Sequence, residues 1–137
     1  MRFMVIVKAT KDTEAGILPT TEEFAAMGRF NEELCKAGMM EAGEGLHPTA
    51  KGARIAFSDG KPRVARGPFD FTGELAAGFW MIKAGSLDEV IEHMQHAPLP
   101  RGEIEIRQVY APEDFGETFT PELRARIERL RAQAAKS

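Results

Sequence analysis

The stretch DGKPRVARGPFDFTGELAAGFWMIKAG, Asp59–Gly85, decides the fold of this chain. Asp59-Gly60 is a strong hairpin signal, because both central positions of a type I′ turn need positive φ and these residue types tolerate it. Before it, Arg54-Ile55-Ala56-Phe57-Ser58 alternates polar and apolar, as a half-exposed strand does. After it, Pro62–Arg66 reads as a short edge strand, where proline is tolerated. Gly67-Pro68-Phe69 then makes a rigid turn, and Ala76–Lys83, which holds the only tryptophan, Trp80, reads as an apolar strand. Rigid strands position the loop they share, so this turn is a natural place for function.

Working outward, Phe3-Met4-Val5-Ile6-Val7 is a continuous apolar run and predicts a buried central strand. Residues 9–19 read as a loop. Thr20 or Thr21 caps a helix whose first turn is suited by Glu22 and Glu23. Phe24, Met27, Phe30 or Asn31, and Leu34 give it one apolar stripe, and Gly38 ends it. Met39–Leu46 predicts a second strand, closed by His47-Pro48. On the other side, Ser86 and Glu89 form a capping-box pattern. The helix they open has Leu87, Val90, Ile91 and Met94 as its expected buried face, and Pro98 and Pro100 forbid its continuation. Glu103–Tyr110 alternates as a strand, and a last helix runs from Pro121 to about Ala135 with Leu123, Ile127 and Leu130 as its stripe.

The order β-α-β, hairpin, β-α-β, helix predicts an α+β fold: a ferredoxin-like antiparallel sheet with an inserted hairpin and a C-terminal helix. The expected division is a domain over residues 1–116 and a helical extension over 117–137. Two helices cover one face of such a sheet. A second copy of the chain is the simplest cover for the other face, so a homodimer with a pocket along the sheet or under the hairpin is expected.

Composition narrows the function classes. The chain has 137 residues, 43% apolar and 28% charged, as an ordinary soluble domain has. A net charge of -3 offers no basic excess for nucleic acid. No run approaches the roughly 18 apolar residues that span a bilayer, and Met1–Lys8 is not a secretory pattern. A cytoplasmic protein without nucleic-acid or membrane partners is therefore expected. The single Cys35 excludes an intrachain disulfide framework and a Cys-based zinc site. No phosphate-binding glycine loop, nucleophile elbow or zincin pair occurs, so neither a metal nor a cofactor is expected.

Several short stretches in order carry a family resemblance: Met1-Arg2-Phe3-Met4, Lys36-Ala37-Gly38, Ala42-Gly43-Glu44-Gly45-Leu46, Gly67-Pro68-Phe69, Gly78-Phe79-Trp80, Ser86-Leu87-Asp88-Glu89 and Glu103-Ile104-Glu105-Ile106-Arg107. Together they resemble the YCII-related, DGPF-type proteins over roughly residues 1–116. The resemblance implies a dimeric ferredoxin-like α+β barrel and leaves the activity open. Its signature is altered here: Arg66 stands where that family has Asp before Gly-Pro-Phe, and Asp70, Phe71 and Gly73 replace its Ala, Glu and Lys. Thr72 and Glu74 are kept. Some relatives carry a helical His paired with an Asp as a proposed dyad; its approximate equivalent here is near Met27, and that helix has no His.

Candidate site residues follow from chemistry and place. His47, at a strand end before Pro48, is a candidate general base, against the plainer role of a loop histidine. Asp70 and Arg66 flank the Gly67-Pro68-Phe69 turn four apart; they are expected to pair across it, or to serve as a catalytic acid and an anion-binding fork. Phe69 and Trp80 are candidate stacking groups, with a hydrophobic core as the default. Arg107, like Lys8 and Lys83, sits near a strand end where it could line a pocket rim. His93 and His96 lack a third ligand for a metal. The leading expectation is a homodimer that binds a small organic ligand and has a capacity for cofactor-independent acid/base chemistry. The alternative is a non-catalytic interaction module in a sigma-factor context, an association the resemblance implies.

Overall fold

The computed structural model describes residues 1–136. Its strands are β1 (Arg2–Lys8), β2 (Met40–Gly45), β3 (Ala53–Ser58), β4 (Lys61–Arg66), β5 (Ala76–Lys83) and β6 (Ile104–Gln108). Its helices are α1 (Lys11–Glu14), α2 (Thr21–Lys36), α3 (Leu87–Met94) and α4 (Pro121–Ala135). β2, β5, β1 and β6 form a four-stranded sheet in that order, while β3 and β4 form a separate two-stranded one. All pairings are antiparallel. This is the expected ferredoxin-like arrangement, with the β3–β4 hairpin inserted between the second and third strands of the main sheet.

The local signals act where the sequence places them. The Thr20 hydroxyl accepts from Glu23 N–H at 3.1 Å while the Glu23 carboxylate accepts from Thr20 N–H at 3.1 Å, so α2 opens on a complete capping box. At α3 the pattern is displaced by one residue: Ser86 accepts from Glu89 N–H, but the Glu89 carboxylate accepts from Gly85 N–H at 2.8 Å. Asp59 and Gly60 have φ of 50° and 75°, as a type I′ hairpin turn requires. The stretch read as a loop over residues 9–19 contains the short α1, capped by Thr10.

Alternation sends Phe3, Val5, Trp80 and Ile82 toward the helices, where they meet Phe30 and Leu34 of α2 and Val90 and Met94 of α3. Phe3, Val5, Ile82 and Val90 are 1% exposed or less. Each such side chain contributes about 1.5–3 kcal/mol by leaving water. The other sheet face carries Met4 and Ile6 of β1 beside Met81 and Phe79 of β5, all half-buried. Leu87 and Ile91 are not in the core as the helical stripe suggests; they are 46% and 40% exposed on the outer side of α3. Likewise α4 buries no residue, and Leu123, Ile127 and Leu130 stay exposed. The hairpin departs most: every residue of β3 and β4 is exposed.

Candidate functional site

Lys8 organises the most developed polar cluster among the described residues. It ends β1, where the pairing with β5 slips between Val7 and Lys8. Two loops are tied to this point: Lys8 N–H donates to the Glu103 carbonyl at 3.0 Å, and Ala9 N–H donates to the Leu75 carbonyl at 2.7 Å. The Lys8 ammonium, only 10% exposed, lies 2.8 Å from Glu74 and 2.5 Å from Glu103, with Glu105 at 3.7 Å. The hydrogen bond to Glu103, and then that to Glu74, raise its pKa far above the ordinary lysine value. Lys8 is therefore a fixed positive charge at neutral pH and not an amine nucleophile.

Around this ammonium opens a cleft of about 430 Å³, walled by Phe71, Glu74, Arg101, Glu103 and the Ala9–Lys11 segment. Phe71 is 39% exposed and offers a ring edge or face. Lys11 and Arg101 have no ion-pair partner among the described residues, so two cations stand free on the rim. The site thus sets exposed acceptor oxygens of Glu74 and Glu103 over the Lys8 ammonium, beside the donors Lys11 and Arg101. No group of His, Cys, Asp and Glu among the described residues suits a metal ion.

A second cluster fixes the Gly67-Pro68-Phe69 turn beside this cleft. The Gly67–Pro68 peptide is cis. A Cβ on Gly67 would lie 1.7 Å from the Thr49 carbonyl oxygen, so only glycine fits. Phe69 N–H donates to the Thr49 hydroxyl at 2.9 Å, and Thr49 in turn donates to Glu14 through both its hydroxyl and its N–H. Those bonds from Thr49 hold the Glu14 carboxyl below its ordinary value of 4.5. The Arg54 guanidinium lies 3.9 Å from the Phe69 ring centre and pins the hairpin base to the turn.

The candidate residues read from sequence are dispersed. Phe69 is half-buried in the turn just described, and Asp70 is exposed immediately before Phe71 of the cleft. Arg66 is exposed and forms no ion pair with Asp70, so the expected pair across the turn is not made. The turn is held by the Thr49 hydroxyl and the Gly67 N–H bond to the Gly52 carbonyl at 2.9 Å. His47 is exposed at the end of β2 and lines neither described cavity. Trp80 is 4% exposed, edge-on to Phe30 at 5.9 Å, and its indole N–H donates to Asn31 at 2.9 Å. Arg107 is exposed and bonds Glu105 at 3.2 Å. Cys35 is exposed.

Sequence reasoning noticed Lys8 as a strand-end cation, Glu74 as a kept motif residue and Glu103 within a matching stretch, but nothing local joins them. Glu14 carried no signal at all. The cleft depends on pairings across 66 and 95 positions, which spacing along the chain does not reveal.

No curated protein matches the chain. A solved structure of 5-chloro-2-hydroxyhydroquinone dehydrochlorinase from Burkholderia phenoliruptrix, in complex with 2,5-dihydroxybenzoquinone, is similar over 83% of this chain and 98% of that one. The two are 14% identical with a TM-score of 0.48. The model of the YCII-related domain matches residues 1–113 of the 137, and the chain belongs to that family.

Proposed function

We propose that the chain is a homodimer that binds a small organic anion in the Lys8 cleft. The observation that carries this reading is the half-buried Lys8 ammonium clamped by Glu74 and Glu103 in a cleft also lined by the free cations Lys11 and Arg101. An anionic group on the ligand would engage the rim, Phe71 would cover an apolar body, and the carboxylates would accept from a hydroxyl or N–H. A carboxylate within hydrogen-bond reach of a ligand hydroxyl is also a general base, so acid/base chemistry without a cofactor is open to this site. Lys8 would position the carboxylates and offset the negative charge left on the ligand oxygen when its proton moves to one of them. The half-buried sheet face around Met4 and Met81 supports the homodimer, since a second copy would cover it.

A thermal-shift screen of small aromatic and aliphatic carboxylates tests the reading, because binding to the native state raises apparent stability. Hits should lose their shift in Phe71→Ala and Arg101→Ala and keep it in His47→Ala. The opposite pattern, shifts lost in His47→Ala and kept in the two cleft variants, removes the cleft from the function. A non-catalytic interaction module is the second reading, favoured by the exposed hairpin; a screen without any hit speaks for it.

A further inference from the structure

The β3–β4 hairpin is an unusual object for a free chain. Residues facing the same side of an antiparallel ribbon are those paired across it. The register therefore places Ala53, Ile55 and Phe57 with Arg66, Val64 and Pro62 on one face, apolar but for Arg66 at its base, and Arg54, Ala56 and Ser58 with Ala65, Arg63 and Lys61 on the other. Ile55, Phe57 and Val64 are 54%, 78% and 65% exposed. A lone two-stranded ribbon is marginal in water and needs something packed on its apolar face.

Charge says what kind of surface fits. Residues 51–66 hold five cations and one acid, a net +4, so with -3 for the whole chain the remaining residues carry -7. The complementary surface is on the chain itself. The outer side of α3 exposes Leu87 and Ile91, one turn apart, beside Asp88 and Glu92. Leu87–Met94 contains three acids and no Lys or Arg, and neither Asp88 nor Glu92 has an ion-pair partner among the described residues. Within one chain both surfaces lie exposed.

We infer that the basic hairpin docks its apolar face on the acidic outer side of α3 of a second copy of this chain. Ile55, Phe57 and Val64 cover Leu87 and Ile91, and the long cationic side chains reach past the edges of a narrow ribbon to Asp88 and Glu92. In a two-fold pair the contact is made twice, each arm on the other's helix. This rests on the homodimer reading and adds to it a contact distinct from the sheet face.

Sedimentation equilibrium on the full chain tests it by charge exchange. The arm-reversed chain (Lys61→Glu with Arg63→Glu) and the helix-reversed chain (Asp88→Lys with Glu92→Lys) should each self-associate at least tenfold more weakly than the native chain. Mixed together they should recover native-like association, since both contacts are then attractive again. Phe57→Lys, at an exposed position, should weaken association similarly while near-UV circular dichroism stays native. Association unchanged in either reversed chain, or no recovery on mixing, overturns the inference and leaves a sheet-faced pair standing. A native chain monomeric at every concentration overturns both. Binding of a DNA duplex that is lost on arm reversal, with self-association intact, assigns the arm to another partner and also overturns it.

Discussion

The four-stranded sheet and the β3–β4 hairpin are written in the same alternating code and meet opposite fates. In the sheet, Phe3 and Val5 alternate with Met4 and Ile6, and the first pair is sealed under two helices. In the hairpin, Ile55 and Phe57 alternate with Arg54 and Ala56, and all four stay exposed, Arg54 alone resting on the Phe69 ring. Alternation specifies which side chains share a face, but burial needs a second layer. The βαβ connections supply that layer for the sheet, because α2 and α3 fold back on the strands that flank them. The hairpin has a two-residue turn and no crossover, so its layer must come from elsewhere.

That contrast can be broken by measurement. Phe3→Ala should cost about 3–5 kcal/mol, read as a lower urea midpoint with an unchanged slope. In dilute protein the same truncation at Phe57 should stay within about 0.5 kcal/mol. A cost there near that of Phe3 would mean that the arm is packed inside its own chain. Gly67→Ala comes next, at about 1–3 kcal/mol, because its Cβ would be driven into the Thr49 carbonyl and the turn would have to yield. A neutral result would show that the hairpin base is free to shift.

The smallest expected effect is pH-dependent. Glu14 has its folded pKa lowered by its bonds from Thr49, so the clamp contributes above the ordinary value of 4.5 and is lost as pH falls through the folded value. Hydrogen exchange at the Phe69 amide should therefore speed up, relative to the β1 amides, on acidification below about 4.5. Glu14→Gln should remove most of that pH dependence. If the amide responds equally in both proteins, Glu14 is not what ties the hairpin base to the body. Lys8 behaves in the opposite sense: its raised pKa keeps its contribution intact through neutral pH and loses it only in strong alkali.

Much of the fold was legible because its signals are local. Thr20 and Ser86 as caps, Asp59-Gly60 as a hairpin turn and the bounds of Ala76–Lys83 are each decided by a few neighbouring residues. Exposure was less legible. Leu87, Ile91 and the Leu123 stripe fit a helical pattern, yet they stay outside because periodicity names a face without naming its partner. The candidate site was legible only in fragments. Lys8, Glu74 and Glu103 meet at the ends of three strands, whereas the motif-based choice of Arg66 and Asp70 rested on proximity along the chain. Thr49 and Glu14 hold the turn those two were expected to hold.

Trp80 has a practical consequence. It is the only tryptophan, and it is sealed at the junction of sheet and α2 with its indole N–H given to Asn31. Its emission is therefore a local gauge of that junction, blind to the arm and to α4. Far-ultraviolet dichroism sums over all of them. If the arm and the last helix loosen before the core melts, the two optical traces will separate, and one folding transition will resolve into two.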